Sequence, residues 1–413
     1  MKVAVFTLGC KVNECESRSI ISELRNAGAE VTEEQIAADV YVVNTCSVTA
    51  EADRKSRQLV RKCSRIAPHA KIFVTGCSSM NEAGPFIDMP NVVYVGGTAG
   101  KSAIAQYIMS DITCKAKAAI IPAPVYFEEM TAPAHERTRD YIKIQDGCNN
   151  FCSYCVIPYL RGRCRSRSLA SVISEAEEAA KHTKEIVLTG IDVSSYGKDI
   201  GLTLTDIVRA LGKLNVRKRL SSFECTVICD ELLDALAEAG FNDHFHLSLQ
   251  SGCDSVLKAM NRHYDCEKYM SAVRKIREYF PDAGITTDVI AGFPTETDRD
   301  FADTCAFVRE VGFSDMHVFP YSERKGTRAA ALPQVPMEKR RERAAELGNI
   351  KKELKKAFIL LQTGKALSVY FEEIHGGIAE GYSANYVRVY SDIAVPGEIR
   401  DIIITRPYKE GAK

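Results

Sequence analysis

Residues 146–167 read DGCNNFCSYCVIPYLRGRCRSR. Cys148, Cys152 and Cys155 stand at C-x3-C-x2-C spacing, and Cys164 follows inside a run of alternating arginines. A structural zinc site takes four protein ligands, usually as paired C-x2-C. Cys164 is a weak candidate for a fourth. Three thiols on one loop suit an iron–sulfur cluster better, one thiolate per iron, with the remaining iron open to a small chelating molecule.

The chain has 15 cysteines in 413 residues. The N-terminal MKVAVFTLGC lacks the long apolar region of a signal peptide. No run approaches ~18 apolar residues, so no membrane partner is expected and the location is cytoplasmic. Cytosolic thiols stay reduced, so clustered cysteines point to metal or catalysis rather than disulfides. Scattered ones, Cys63, Cys114, Cys229, Cys266 and Cys305, read as small buried hydrophobes. Lys plus Arg and Asp plus Glu both total 54. With zero net charge, any nucleic-acid footprint must be local.

These residues need elements to hold them. The first 111 residues alternate strand and helix signals, giving a Rossmann-like parallel α/β domain. Cys10 follows VFTLG, Cys46 follows YVVNT and Cys77 follows IFVTG, each at the carboxyl end of a predicted strand. Ligands of open α/β sheets bind at that edge, so this trio is expected to converge. Residues 112–138 read as a proline-containing linker. From 139 to 335, strands expected at 141–145, 185–189, 219–224, 245–249, 285–291 and 315–320 alternate with helices. That is a partial (βα)6 TIM-type barrel, with function at the strands' C-terminal ends. Glu224, Gln250, Ser251 and Asp288 fall at or in those strands and are expected to face the barrel mouth. Residues 336–360 form a charged helical connector with a solvated face. Residues 361–413 read as a small antiparallel β-barrel.

The central motif resembles the radical S-adenosylmethionine (SAM) superfamily, and the chain as a whole is similar to its methylthiotransferase family. The stretches that carry the likeness are TLGCKVNECES, NTCSVTAEADRKSRQ, VTGC, DGCNNFCSYCVIPYLRGRCRSRS, LTGIDVSSYG, RLSSFE, HLSLQSGCDSVLKAMNR, DVIAGFPTET and FPYSERKGT. The resemblance implies two 4Fe-4S clusters, one on Cys148, Cys152 and Cys155 and one on Cys10, Cys46 and Cys77. It implies SAM on the open iron of the first, Tyr154 near its adenine and Gly190 near its amino group. The family often has glycine where Thr286 and Thr295 stand, and proline where Cys225 stands. GCKVNECES is most similar to bacterial enzymes acting on N6-threonylcarbamoyladenosine in tRNA. One SAM would then methylate a sulfur, and a second would yield the radical that opens C2 of adenosine 37, in the anticodon loop, to methylthio transfer. A sulfur donor and a reductase or flavodoxin-type electron donor are implied; the oligomeric state stays open, with a monomer compatible. Alternatives are methylthiolation of isopentenyladenosine tRNA or of a ribosomal protein, or a non-catalytic iron–sulfur RNA-binding protein. Arg161, Arg163, Arg165 and Arg167 would share one face of an extended segment and contact tRNA phosphates. The last 53 or so residues resemble a TRAM domain, where acids slightly outnumber bases and Tyr382 and Tyr386 are the candidate RNA contacts.

Overall fold

The computed structural model describes residues 1–110, 118–131 and 138–413. Residues 112–117 and 132–137 of the expected linker, Cys114 among them, lie outside these residues. The N-terminal sheet holds β1 (Lys2–Thr7), β2 (Glu30–Thr32), β3 (Val40–Thr45), β4 (Lys71–Gly76), β5 (Val92–Gly96) and β6 (Ala118–Ala119). All are parallel, in the order β2-β1-β3-β4-β5-β6. β3, VYVVNT, is buried throughout, as a central strand covered on both faces must be. Helix α1 (Lys11–Asn26) covers one face and α2 (Ala50–Ile66) the other, α2 capped by the Thr49 hydroxyl accepting from Ala52 N–H. The strand order reverses between β1 and β3, which makes the gap beyond their carboxyl ends the sheet's natural ligand site.

The central unit runs through β7 (Arg139–Lys143), the short antiparallel pair β8 (Gln145–Asp146) and β9 (Arg165–Ser166), then β10 (Glu185–Thr189), β11 (Arg217–Leu220), β12 (His244–His246), β13 (Gly284–Ala291) and β14 (Asp315–Pro320). Three parallel strands, β7-β10-β11, join three more, β12-β13-β14, through single bridges Lys218–Phe241 and Phe223–Leu247. β7 and β14 do not pair, so the barrel stays open on that side. Its core stacks Ile142, Leu188, Phe245, Leu247 and Val289 inside a ring of helices. The helix Asp298–Val311 begins at a Thr297–Asp300 capping box and stops at Gly312 in left-handed conformation.

Helix α1 packs between the two units: Cys15 lies 3.2 Å from the Tyr141 carbonyl, and Arg18 pairs with Asp140 at 3.3 Å. The helix Met337–Leu361 keeps the solvated face its charge suggests, but its other face is packed. Arg340 and Arg343 are buried, Arg343 against Glu296 at 2.7 Å and Asp298 at 2.9 Å, because their side chains close the C-terminal side of the barrel. The last sheet contains β15 (Ala366–His375), β16 (Ile378–Ser383), β17 (Arg388–Ser391), β18 (Ile399–Ile403), β19 (Pro407–Tyr408) and β20 (Gly411–Ala412), in the order β18-β15-β16-β17-β20-β19. Its pairs are antiparallel except β17–β20. It rests on the barrel through Tyr370 O–H to the Thr138 carbonyl (2.7 Å) and Asn385 to the Asp282 carbonyl (3.0 Å). Of the scattered cysteines, Cys63 and Cys305 are buried, Cys266 is half-buried, and Cys229 is exposed beside the start of a helix.

Candidate functional site

Cys10 caps α1 just beyond β1, Cys46 follows β3, and Cys77 opens the short helix α3 (Cys77–Asn81) after β4. Cys10 and Cys46 therefore flank the switch point. The turn between them is tight: Gly9 has φ +110°, and a Cβ there would stand 2.8 Å from Cys46 Sγ. Asn13 ties the wall together, its amide donating to the carbonyls of Leu8 (2.8 Å) and Thr45 (3.0 Å).

The second trio sits on the loop after β8. Gly147, φ +71°, turns the chain so closely that a Cβ would overlap the Arg163 carbonyl at 2.0 Å. Cys148 N–H donates to the Gly162 carbonyl at 3.1 Å, and Cys155 N–H to the Cys152 carbonyl at 3.0 Å. Asn261, from another loop, donates to the carbonyls of Asn150 (3.0 Å) and Phe151 (3.2 Å). The six thiols line one cavity of about 650 Å³, with Lys11, Tyr154, Gly190, Glu224, Gln250 and Arg262 in its walls. A small apolar cluster of Cys77, Val156 and Leu160 joins the two sides. No group of three or more His, Cys, Asp or Glu among the described residues is drawn tightly enough to hold one metal ion. All six thiols are free. Burial pushes the Cys46 thiol up to about 11 and Cys155 to about 12, so iron binding must release their protons. Two sets of three soft thiol donors lining one cavity fit iron–sulfur clusters in donor chemistry.

The expected row of four arginines does not form. Arg161 ends the helix Ile157–Arg161, Gly162 turns the chain, and Arg165 begins β9. Arg161 is fully buried between Glu16 (2.9 Å) and Asp146 (3.0 Å), and it donates to Asn13 Oδ1 at 2.7 Å. Arg165 is buried against the Arg161 and Arg163 carbonyls at 2.8 Å, with Asp146 at 3.6 Å. Arg167 is buried with Glu175 and Glu129. Each is thus removed from RNA by ion pairing in the interior. Arg163 alone is exposed, lying 4.6 Å over the Phe151 ring. Lys101 and Lys143 join the same buried hub through Glu16. Four cations there face two carboxylates, and burial raises the Cys77 thiol while the Arg161 and Lys101 charges offset part of that rise.

Tyr154 stands edge-on to Phe293 at 6.5 Å. Gly190 lines the cavity, and the space where its Cβ would go is occupied by Gln145, 2.9 Å away at Oε1. Glu224 is held by Asn150 (3.0 Å) and Arg262 (2.8 Å), and Gln250 reaches the wall with φ +71°. Ser251 is fully buried, 3.2 Å from the Thr304 hydroxyl, and is not in the cavity wall. Asp288 also misses this wall: its alternation along β13 turns it to His246, 3.3 Å away. Tyr382 and Tyr386 stack at 4.7 Å, but Tyr386 faces the barrel and stacks on His244 at 4.4 Å.

Three residues were invisible to sequence reasoning. Arg262 donates to Cys152 Sγ at 3.2 Å; Asp192 lies 3.8 Å from Cys148 Sγ; Asn150 links Asp192 (3.2 Å) to Glu224. Asp192 and Arg262 are signalled only by the polar stretches LTGID and MNRH, with no fixed spacing, and Asn150 lies within DGCNNFC itself. A charged donor on a ligating sulfur tunes a cluster's potential. Arg262→Gln is therefore expected to keep its iron, lower the potential of the loop's cluster and slow SAM cleavage about ten- to a hundredfold. Iron analysis and a potentiometric titration read by electron paramagnetic resonance check this.

Residues 142–308 match the Radical SAM superfamily, and residues 2–96 match a family described as uncharacterized protein family UPF0004. A radical SAM methyltransferase from Kitasatospora setae shares the fold, with a TM-score of 0.57 and 16% identity over 80% of this chain and 77% of its own. The fold and cysteine loop thus define a radical SAM protein. The threonylcarbamoyladenosine tRNA methylthiotransferase MtaB of Bacillus subtilis is 37% identical, over 99% of this chain and 95% of its own. The tRNA-2-methylthio-N(6)-dimethylallyladenosine synthase of Caldicellulosiruptor saccharolyticus is 35% identical, over 85% of this chain and 78% of its own. The chain belongs to the radical SAM methylthiotransferase family.

Proposed function

We propose that this enzyme converts N6-threonylcarbamoyladenosine at position 37 of tRNA to its 2-methylthio derivative. The observation that carries the reading is the meeting of two cysteine trios, from two separate folding units, in one cavity. The Bacillus subtilis threonylcarbamoyladenosine relative aligns over 99% of this chain, the Caldicellulosiruptor saccharolyticus dimethylallyl relative over 85%. A purely RNA-binding role would leave the paired trios without a purpose.

In this reading Cys148, Cys152 and Cys155 hold one 4Fe-4S cluster, and Cys10, Cys46 and Cys77 hold a second. Bound there, the clusters and SAM supply radical generation and the sulfur to be transferred. The chain's residues supply placement: Tyr154 offers an aromatic edge for adenine, while Gly190, Glu224 and Gln250 shape the SAM side of the cavity. Arg262 and Asn150 hold the loop and Glu224 in one arrangement. A sulfur donor and a flavodoxin-type or reductase partner complete the cycle in the cytoplasm. Ser251 and Asp288 are dropped as cofactor contacts.

The tRNA contact moves from four arginines to an exposed cluster beside the cysteine loop. Tyr159 is 59% exposed and meets Phe151 edge-to-face at 5.4 Å, with Arg163 over Phe151. A guanidinium and two aromatic faces suit an unpaired loop base and its phosphate. Arg163→Ala is expected to weaken tRNA binding several-fold and to reduce the salt slope by about one. Filter binding across a salt series measures both.

Nucleoside analysis of tRNA tests the substrate. A strain lacking the gene should lose 2-methylthio-N6-threonylcarbamoyladenosine and regain it with the gene restored. Persistence of that nucleoside, with loss of the isopentenyl counterpart instead, would reassign the substrate.

A further inference from the structure

The loop that follows Cys46 and the segment that ends the last barrel strand are bonded to each other. Ala50 N–H donates to the Ser322 hydroxyl at 3.1 Å, and Arg324 donates to the Ser47 hydroxyl at 2.6 Å and pairs with Asp53. Ser47, Asp53 and Arg324 are buried, so this polar seam holds one unit against the other. Two apolar side chains beside the seam are left uncovered. Val48, between Ser47 and the helix cap Thr49, is 55% exposed, and Phe319, three residues before Ser322, is 45% exposed. Both line the cavity that holds the six thiols.

Phe319 stands near the carboxyl end of β14, an edge strand of the open barrel. Met316 is buried on the opposite side of that strand, and alternation puts Phe319 on the side of His317. The His317 ring lies 6.4 Å away at 34°, is exposed too, and lines the same cavity. The other rings of this wall have less surface to offer: Tyr154 is half-buried against Phe293, and Phe223 is buried. Apolar side chains exposed singly need no explanation, but these two flank one seam on the wall of a reaction cavity. The reaction gives them a use. Carbon 2 of an adenine is reached only after the base leaves its stack, and an aromatic side chain replaces the stacking then lost.

We propose that Phe319 is the stacking platform for the target adenine, with Val48 as the apolar edge beside it. The inference rests on the tRNA reading above and deepens it, because it says which surface receives the base once it leaves the anticodon loop. Val48 is two residues from Cys46, so a base held here lies on the side of the N-terminal trio. Phe151, Tyr159 and Arg163 remain contacts for the surrounding loop. A phenyl face stacks on any base, so the platform positions the ring and leaves the choice of N6 substituent to other residues.

The test uses reconstituted full-length protein, dithionite as reductant, and tRNA carrying N6-threonylcarbamoyladenosine. Phe319→Ala should raise KM for tRNA about tenfold, with iron content and Kd for SAM unchanged. Phe319→Tyr and Phe319→Trp should keep KM within about twofold of the wild type. Phe319→Leu, apolar but without an aromatic face, should fall with the alanine variant. Rescue by leucine, an unchanged KM for tRNA in Phe319→Ala, or a rise in KM for SAM instead, overturns the platform. A defect seen with flavodoxin as reductant but absent with dithionite assigns the surface to the electron donor and overturns it as well. Should Phe319→Ala fail to hold iron, Phe319→Leu and Phe319→Trp decide between them: equal KM for tRNA overturns the proposal. A wild type that yields no methylthiolated tRNA removes the substrate reading, whereas an active wild type with an indifferent Phe319 removes the platform alone.

Discussion

Cys152→Ala protein, purified without oxygen and reduced with dithionite, is expected to release no 5′-deoxyadenosine from SAM, and Cys46→Ala protein is expected to release it still. The two variants separate the walls of one cavity. Cys152 belongs to the loop trio, held by Arg262 at 3.2 Å, and removing its thiol takes a ligand from the SAM-binding side. Cys46 lies across the cavity at the sheet's switch point. Its loss should leave SAM cleavage in place and abolish methylthiolated product. The wild type should hold about eight irons per chain and each variant about four. Iron and sulfide analysis, with nucleoside analysis of the reacted tRNA, reads all of these. Equal loss of SAM cleavage in Cys46→Ala would mean that the two trios do not work as separate centres.

Arg161→Met should cost about 3–5 kcal/mol of stability, against less than about 0.5 kcal/mol for Arg163→Ala. The contrast follows from placement. Arg161 is fully buried and holds Glu16 from α1 and Asp146 from β8 in one bonded cluster. Without it, two carboxylates stay in the interior short of a partner, and the interface between the two units loses its centre. Urea unfolding of both variants measures the difference. The same hub sets an acid limit. Arg161 and the neighbouring lysines hold both carboxyls well below the usual range despite burial. A depressed carboxyl stabilises fully above its unfolded value of about 4, and that contribution is lost as pH falls toward the folded value. Stability from the hub should therefore be flat near neutrality and decline below about pH 4.

The elements that hold the chemistry were legible because their signals are local. KVAVFT, VYVVNT and KIFVTG are apolar runs that only a covered parallel strand explains, and all three are strands. The six barrel strands fall where alternation places them, within a few residues at the ends. The arginines failed for the same reason that the strands succeeded. Spacing of two says "one face" only on an extended chain, and here a helix ends at Arg161 and a turn follows. Likewise Ser251 lies beyond its strand and is buried against Thr304, while Asp288 is engaged with His246 rather than lining the cysteine cavity.

The sequence by itself determined the class of chemistry: C-x3-C-x2-C on one loop, three Gly-Cys or Thr-Cys strand ends, and two α/β units to carry them. Side-chain type and local periodicity are enough for that. Tertiary structure alone decided which residues meet. Arg262 lies more than a hundred positions from Cys152, and so does Glu16 from Arg161. Such pairings depend on how helix α1 packs against the open side of the barrel, where buried charges must find partners or a ligand. No spacing rule within a strand or helix carries that information.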